Sequence, residues 1–291
     1  MTPDCSPSLL VPFLPPGSNP RVTAAQAVER MRLWDPASGH DAAGESAADG
    51  ERFAAPGSRK ATGTSAPSRP RVFLNMASTA DGRAALGGRS GGIGNRADRE
   101  LFRALRTAVD AVMVGAGTAR TERYRGLVRD EERRRLRRAR GLSEEPLACI
   151  VSARLALCAA EVPLLADPAA RVVVLTPSAG GVVRDADAQA VEYVRAARDG
   201  ALDLPAALAE LRARWGVRTV LCEGGPHLNG DLLRAGVVDE VFLSFAPKLG
   251  GGDEAQLRIV CGPELDPPVE LQLCDALESE GLLLLRYRVS R

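Results

Sequence analysis

From Arg71 onward, apolar runs of strand length alternate with stretches whose apolar residues recur at helical spacing. The pattern predicts strands at 71–76, 110–114, 147–151, 171–175, 190–194 and 218–222, and helices at 97–107, 128–140, 204–215 and 226–235. Beyond residue 236 the helical spacing stops. Residues 240–245, 269–276 and 282–289 read as strands, the last two as a hairpin-like pair. Alternation followed by an antiparallel finish predicts an α/β fold, a mixed sheet with flanking helices and C-terminal antiparallel strands, over 71–291. Upstream, residues 36–70 are rich in Ala, Gly, Ser, Pro and Asp with almost no large apolar side chains, so they read as a disordered linker. Residues 1–35 read as an arm that packs on the main domain, with Ala27, Val28, Met31 and Leu33 on one side of a short helix.

Composition narrows the classes. At 291 residues and 45% hydrophobic, the chain can bury one good core and a small second one. A net charge of +1 gives no argument for nucleic acid or a membrane surface as partner. The six cysteines (Cys5, Cys149, Cys158, Cys222, Cys261, Cys274) form no C-x-x-C pair and read as free thiols in a reducing compartment. With His40 and His227 as the only histidines, a zinc site is not expected. No apolar run approaches the roughly 20 residues of a membrane span, and the first residues lack the basic start and apolar core of a signal peptide. The cytoplasm is the expected location.

Four loops at or just past predicted strand ends carry the candidate chemistry: Asn75 to Arg83, Gly115 to Thr118, Ser152, and Glu223-Gly224-Gly225. In an open α/β sheet, ligands bind where such ends converge. The run Leu221 to Gly230 feeds an apolar strand into a glycine turn and a helix start, which aims unpaired N–H groups and the positive end of a helix dipole at one spot. A dinucleotide fingerprint fails on detail: Gly115-Ala116-Gly117 supplies G-x-G, but Arg120 stands where the third glycine belongs. Neither a G-x-x-x-x-G-K-[ST] loop nor a G-x-S-x-G elbow is present.

Taken in order, Leu74 to Arg83, Gly88 to Ile93, Leu105-Arg106, Asp110 to Thr118, and Glu223-Gly224-Gly225 with Val238-Asp239-Glu240 resemble the reductase domain of the riboflavin-pathway deaminase-reductase. The segment Arg120 to Gly126 is similar to stand-alone actinobacterial pyrimidine reductases. The resemblance implies a dihydrofolate-reductase-like fold, NADPH as hydride donor, a homodimer, and a ribosylamino-pyrimidine 5′-phosphate substrate of the 5-amino-6-(5-phosphoribosylamino)uracil type. It places Ser78, Gly92, Gly115, Gly117, Thr118, Ser152, Gly224, Gly225, Pro226, His227 and Leu228 against NADPH. Ser90, Arg106, Arg129 and Glu223 fall around the substrate, with Arg106 and Arg129 gripping its phosphate. Glu122 and Asp81 are the candidate catalytic carboxyls; Glu122 stands where the bifunctional relatives carry an acidic residue in an Asp-Asp-Pro segment. The His-x-Glu and Pro-Cys-x-x-Cys motifs of a zinc deaminase are absent, so only the reduction is expected.

Plainer readings stand beside these. Asp81 caps a turn with Gly82, His227 is a bystander rather than a general base, Arg129 to Arg140 lie on a solvated helix, and Trp34 and Trp215 pack. Reduction of another heterocycle, dihydrofolate included, and a non-catalytic NADPH-binding protein are the competing functions.

Overall fold

The computed structural model describes residues 9–12, 21–33, 68–184, 191–252 and 258–290. Most of the segment read as a linker lies outside these residues, as do Cys5 and Trp34. The strands are β1 (Leu9–Pro12), β2 (Val22–Thr23), β3 (Arg71–Thr79), β4 (Ala111–Gly115), β5 (Leu147–Val151), β6 (Val172–Thr176), β7 (Val191–Arg195), β8 (Ala197–Arg198), β9 (Ala201–Leu202), β10 (Thr219–Cys222), β11 (Glu240–Ala246), β12 (Leu271–Ser279) and β13 (Leu282–Val289). The helices are α1 (Ala24–Met31), α2 (Arg96–Thr107), α3 (Ala116–Thr121), α4 (Glu131–Ala139), α5 (Leu204–Trp215) and α6 (Pro226–Arg234).

Among the described residues one eleven-stranded sheet runs β2-β1-β12-β13-β11-β3-β10-β4-β5-β6-β7, and β8 and β9 form a separate ribbon. Pairing is parallel from β11 through β3, β10, β4, β5 and β6 to β7, and antiparallel from β11 through β13 and β12 to β1 and β2. The mixed sheet expected from the sequence is therefore the observed one. Its parallel strands are covered on both faces, which is why they read as continuous apolar runs. Phe73, Val112 and Val114 face a core shared with α1, α2 and α3. Val72, Leu74, Ala111 and Met113 face the core of α5 and α6.

Local signals account for the element ends. Asn95 caps α2 by accepting from the Asp98 N–H, Asp130 caps α4 by accepting from Arg133, and Gly216 ends α5 in the left-handed region at φ 67°. The hairpin β12–β13 turns on Glu280 and Gly281, at φ 54° and 77°, and β12 is bulged between Leu273 and Asp275. Thr23 and Gln26 close a reciprocal capping box on α1, whose Ala24, Ala27 and Val28 join the core that holds Ala97 and Leu101 of α2. Asp239 accepts from the Val72 N–H at 2.7 Å and from Arg69, and Glu240 binds Arg71 and Arg286, so the Val238-Asp239-Glu240 motif staples β11 beside β3.

Three differences from the sequence reading bear on the site. Strand β3 runs on to Thr79, because its pairing with β11 continues five residues past its last contact with β10 at Leu74, through Ser244↔Ala77 to Ala246↔Thr79. The Gly115-Ala116-Gly117-Thr118 loop is instead the first turn of α3. Helix α4 begins at Glu131, leaving Arg129 in the loop before it. Nor is α4 a plain solvated face: Arg137 is wholly buried and donates to the carbonyls of Arg106, Val109 and Ser143.

Candidate active site

Strands β3, β10, β4 and β5 lie side by side and parallel, so the four loops singled out in the sequence open on one edge of the sheet. Between β3, α2, α3 and α6 this edge holds a cleft of about 610 Å³. A second chamber of about 600 Å³ adjoins it and shares Ser90, Arg99, Phe102, Glu122 and Tyr124 with its wall.

Backbone and small side chains build one wall of the first chamber. The Gly115 N–H donates to Gly224 O at 2.8 Å, and the Glu223 N–H donates to Met113 O at 2.9 Å, which locks the end of β10 against β4. Gly224 has φ 88°, and a Cβ there would meet Met76 Sδ at 3.2 Å. A Cβ on Gly225 would stand 2.6 Å from Thr118 Oγ1. Gly225 is the N-cap of α6 without any side-chain cap, so the first N–H groups of that helix have no side-chain acceptor. Gly115, Gly117, Thr118, Gly225, Pro226, His227 and Leu228 all line this chamber.

Glu223 lines the first chamber with a side chain only 2% exposed and binds Arg106 of the second, and this pair forms the seam between them. Arg106 Nε donates to its Oε1 at 2.6 Å and Nη2 to its Oε2 at 2.6 Å, and the Tyr124 hydroxyl donates to Oε2 at 2.5 Å. The guanidinium lies 4.2 Å over the Phe102 ring and 5.5 Å from that of Tyr124. Burial opposes the charge on Arg106, but the charge and hydrogen bonds of Glu223 more than offset it and raise its pKa. Burial, and then the neighbouring carboxylate, hold the Tyr124 phenol well above its ordinary pKa, so it stays a donor.

Arg129 lines the second chamber with Arg99, Arg103, Arg106, Arg125 and Arg133. Arg106 therefore reaches this chamber too, but its Nε–Nη2 edge is bound to Glu223 and Nη1 donates to Leu127 O at 3.3 Å, which leaves it fewer N–H groups for a phosphate than Arg129 has. Ser90 donates through both N–H and hydroxyl to Glu122 Oε1, each at 3.0 Å, so Glu122 latches the 88–92 loop to the end of α3.

Five expected site residues do not line either chamber. Asp81 is exposed and accepts from the N–H groups of Gly250 and Gly251 and from the Thr79 hydroxyl, which lowers its pKa to about 2. It clasps the loop at Gly250 and Gly251 and lines neither chamber. Ser78 is buried with its hydroxyl on Thr79 O, Ser152 and Gly224 are buried, and Gly92 accepts from Lys248 through its carbonyl. Trp215 donates to Glu192 at 3.0 Å at the far end of α5.

The sequence reading did not single out Asp98, Arg99, Phe102, Arg103, Tyr124 or Arg125. Residues 99, 102, 103 and 106 are one stripe of α2, a spacing that could have been followed outward from Arg106. Asp98 lines the first chamber, takes a 2.5 Å hydrogen bond from the Ser244 hydroxyl, and crosses Gly94 so closely that a Cβ there would fall 1.9 Å from Oδ2. Burial raises its pKa above the ordinary carboxyl value. Cys149 and Cys222 are buried free thiols, pushed up to about 12 by desolvation. Among the described residues no group of His, Cys, Asp and Glu could hold a metal ion, and no helix is long and apolar enough to cross a membrane.

Comparison with known proteins agrees with this architecture. The 2,5-diamino-6-ribosylamino-4(3H)-pyrimidinone 5′-phosphate reductase of Archaeoglobus fulgidus is 30% identical over 191 residues, 64% of this chain and 84% of that protein. The reductase of the same name from Methanothermobacter thermautotrophicus is 30% identical over 212 residues, 73% of this chain and 91% of that protein. The crystal structure of a pyrimidine reductase-like protein from Corynebacterium diphtheriae shares the fold at a TM-score of 0.62 and 24% identity, covering 76% of this chain and 92% of the other. Residues 70–280 match the model of the RibD C-terminal domain, and the chain belongs to that family of reductases.

Proposed function

We propose that this protein is an NADPH-dependent reductase of a ribosylamino-pyrimidine 5′-phosphate in riboflavin biosynthesis. One observation carries the reading: a chamber walled by glycine backbone and an uncapped helix start adjoins one ringed by arginines, with Glu223 at the seam. The first suits a pyrophosphate, since Gly115, Gly117 and Gly225 line it without side chains and α6 offers N–H groups with its dipole. Gly115, Gly117, Thr118 and the Gly225 to Leu228 turn would hold NADPH, which when bound supplies a hydride. The second suits a phosphomonoester, with Arg129 as its principal anchor.

Reduction of a ring-opened glycosylamine puts a hydride on carbon and a proton on nitrogen. Of the carboxyls lining the first chamber, Glu122 and Glu223 already accept two and three hydrogen bonds. Asp98 accepts one and lines the same wall, which leaves it the most capacity to take up and pass on the proton. Glu122 then orders the loop carrying Ser90 over the ligand. Asp98→Asn should lower kcat while leaving NADPH affinity unchanged; equal kcat in both proteins removes Asp98 from the chemistry.

The decisive assay follows NADPH oxidation with the ribosylaminopyrimidine 5′-phosphate and with dihydrofolate in parallel. Turnover of dihydrofolate alone overturns the substrate, and a thermal shift with FMN but not NADPH overturns the cofactor. We also infer a homodimer in the cytoplasm. Leu271 and Leu273 of β12, 43% and 54% exposed, support the dimer, whereas Leu282 and Leu284 of β13 are buried within the chain. A monomer by light scattering at micromolar concentration would refute it.

A further inference from the structure

A carboxylate offers about four acceptor sites, two on each oxygen. At Glu223 three are taken: one on Oε1 by Arg106 Nε, and two on Oε2 by Arg106 Nη2 and the Tyr124 hydroxyl. What remains is one acceptor, on Oε1, and the 2% exposure of the side chain leaves room for little more than one contact. Arg106 makes that arrangement rigid. Tyr124 makes it single, because without its hydroxyl Oε2 would have an acceptor open as well. Tyr124 itself forms part of both chamber walls, so the ring that carries this hydroxyl borders the ligand space. The turn that brings it there passes through Arg123 at φ 48° and is closed by hydrogen bonds from the Tyr124 N–H to Ala119 O and from the Leu164 N–H to Tyr124 O.

We propose that Tyr124 is a positioning residue that sets specificity: it restricts Glu223 to one hydrogen bond from the ligand and so selects a ring edge presenting a single N–H donor. The inference rests on the reading that this cleft holds the pyrimidine. It separates two substrate forms by their chemistry. On its N3 edge a uracil ring presents one N–H between two carbonyl groups. A 2-aminopyrimidinone ring presents that N–H beside an exocyclic amine, two adjacent donors. Against Glu223 the second donor finds only the neutral phenol oxygen, a weaker acceptor than a carboxylate. The chain should therefore favour the uracil form.

The test uses the full chain, wild type and Tyr124→Phe, the latter keeping the ring that packs beside Arg106. Binding of the free bases 5,6-diaminouracil and 2,5,6-triaminopyrimidin-4-one is measured by calorimetry, and kcat and KM are measured with both ribosylamino 5′-phosphates. Wild type should bind the uracil base about tenfold more tightly, and Tyr124→Phe should erase most of that ratio through KM rather than kcat. A purely structural role would weaken both bases alike and lower the melting temperature without changing the ratio, and would overturn the proposal. So would equal affinities in the wild type, a result that needs no variant. A ratio that shifts as stated in a protein that reduces neither nucleotide would uphold the role of Tyr124 and overturn the proposed function. Turnover without any shift in ratio would do the reverse, and failure of both bases to bind would overturn both.

Discussion

The two chambers sit on one sheet edge and are built by opposite means. The first is shaped by what is missing: no Cβ at Gly224 or Gly225, no side-chain cap on α6. The second is shaped by what is added, a ring of guanidinium groups on α2 and the loop before α4. Backbone N–H groups are fixed by the fold and cannot be removed by a point substitution, only obstructed. Guanidinium groups can be deleted one at a time. Damage to the first chamber should therefore come from adding atoms and damage to the second from removing them.

The seam should be the most sensitive point. Arg106→Ala leaves the Glu223 carboxylate buried without its fork, a change that costs about 3–5 kcal/mol in comparable pairs. Urea unfolding measures it. Arg106→Lys should fall in between, since it keeps the charge and loses the planar geometry. A loss under about 1 kcal/mol would class the pair with exposed salt bridges and remove the distinction drawn for the seam. Next in size, Arg129→Ala should weaken the phosphorylated substrate by about ten- to a hundredfold in KM while NADPH affinity holds. Equal losses with a dephosphorylated analogue would show that Arg129 supports the loop instead.

Gly225→Ala is the mirror experiment. Its new methyl meets Thr118 Oγ1, an overpacking of about 1–3 kcal/mol, and NADPH affinity should fall while the phosphate contact survives. Loss of both together would mean that the chambers are mechanically one.

The smallest effects are those of pH. Asp98 has a folded pKa raised above its ordinary 3.8, so the folded state holds its proton longer than the unfolded chain does. Its contribution is most favourable in acid and is lost as pH rises through the folded value, and Asp98→Asn should flatten that limb. Asp81 runs the other way: with its pKa lowered to about 2, its clasp contributes above the ordinary carboxyl value and is lost as pH falls toward 2. Denaturation midpoints across pH for the two Asn variants check both signs.

The first chamber was largely legible in the sequence because glycines and strand ends announce themselves locally. Thr118 and the Gly225 to Leu228 turn came from adjacent residues and from a resemblance carried by the same segments. The second was half legible. Arg129 and Arg106 were named, but the partner that commits Arg106 is Glu223, 117 positions away, and no periodicity encodes that distance. Tyr124 was visible only as a departure from an Asp-Asp-Pro segment, and its role depends on which way a turn at positive φ throws it. Asp81 shows the same limit in reverse: an aspartate beside a glycine looks alike whether it faces a cleft or, as here, the N–H groups of Gly250 and Gly251.

Helix α4 carries a run of arginines that composition treats as interchangeable, and Arg137 shows that they are not. Its partners, the carbonyls of Arg106, Val109 and Ser143, are all main chain. Such a contact makes no demand on the side chains it touches, so positions 106, 109 and 143 are free to vary as far as Arg137 is concerned, while Arg137 is not. Arg135 and Arg138, 72% and 42% exposed, carry no such obligation. Drift along this helix should thus be lopsided: Arg135 and Arg138 can be exchanged for other polar residues, while Arg137, and to a lesser extent Arg134 on the Val128 carbonyl, is held in place by groups that every residue possesses.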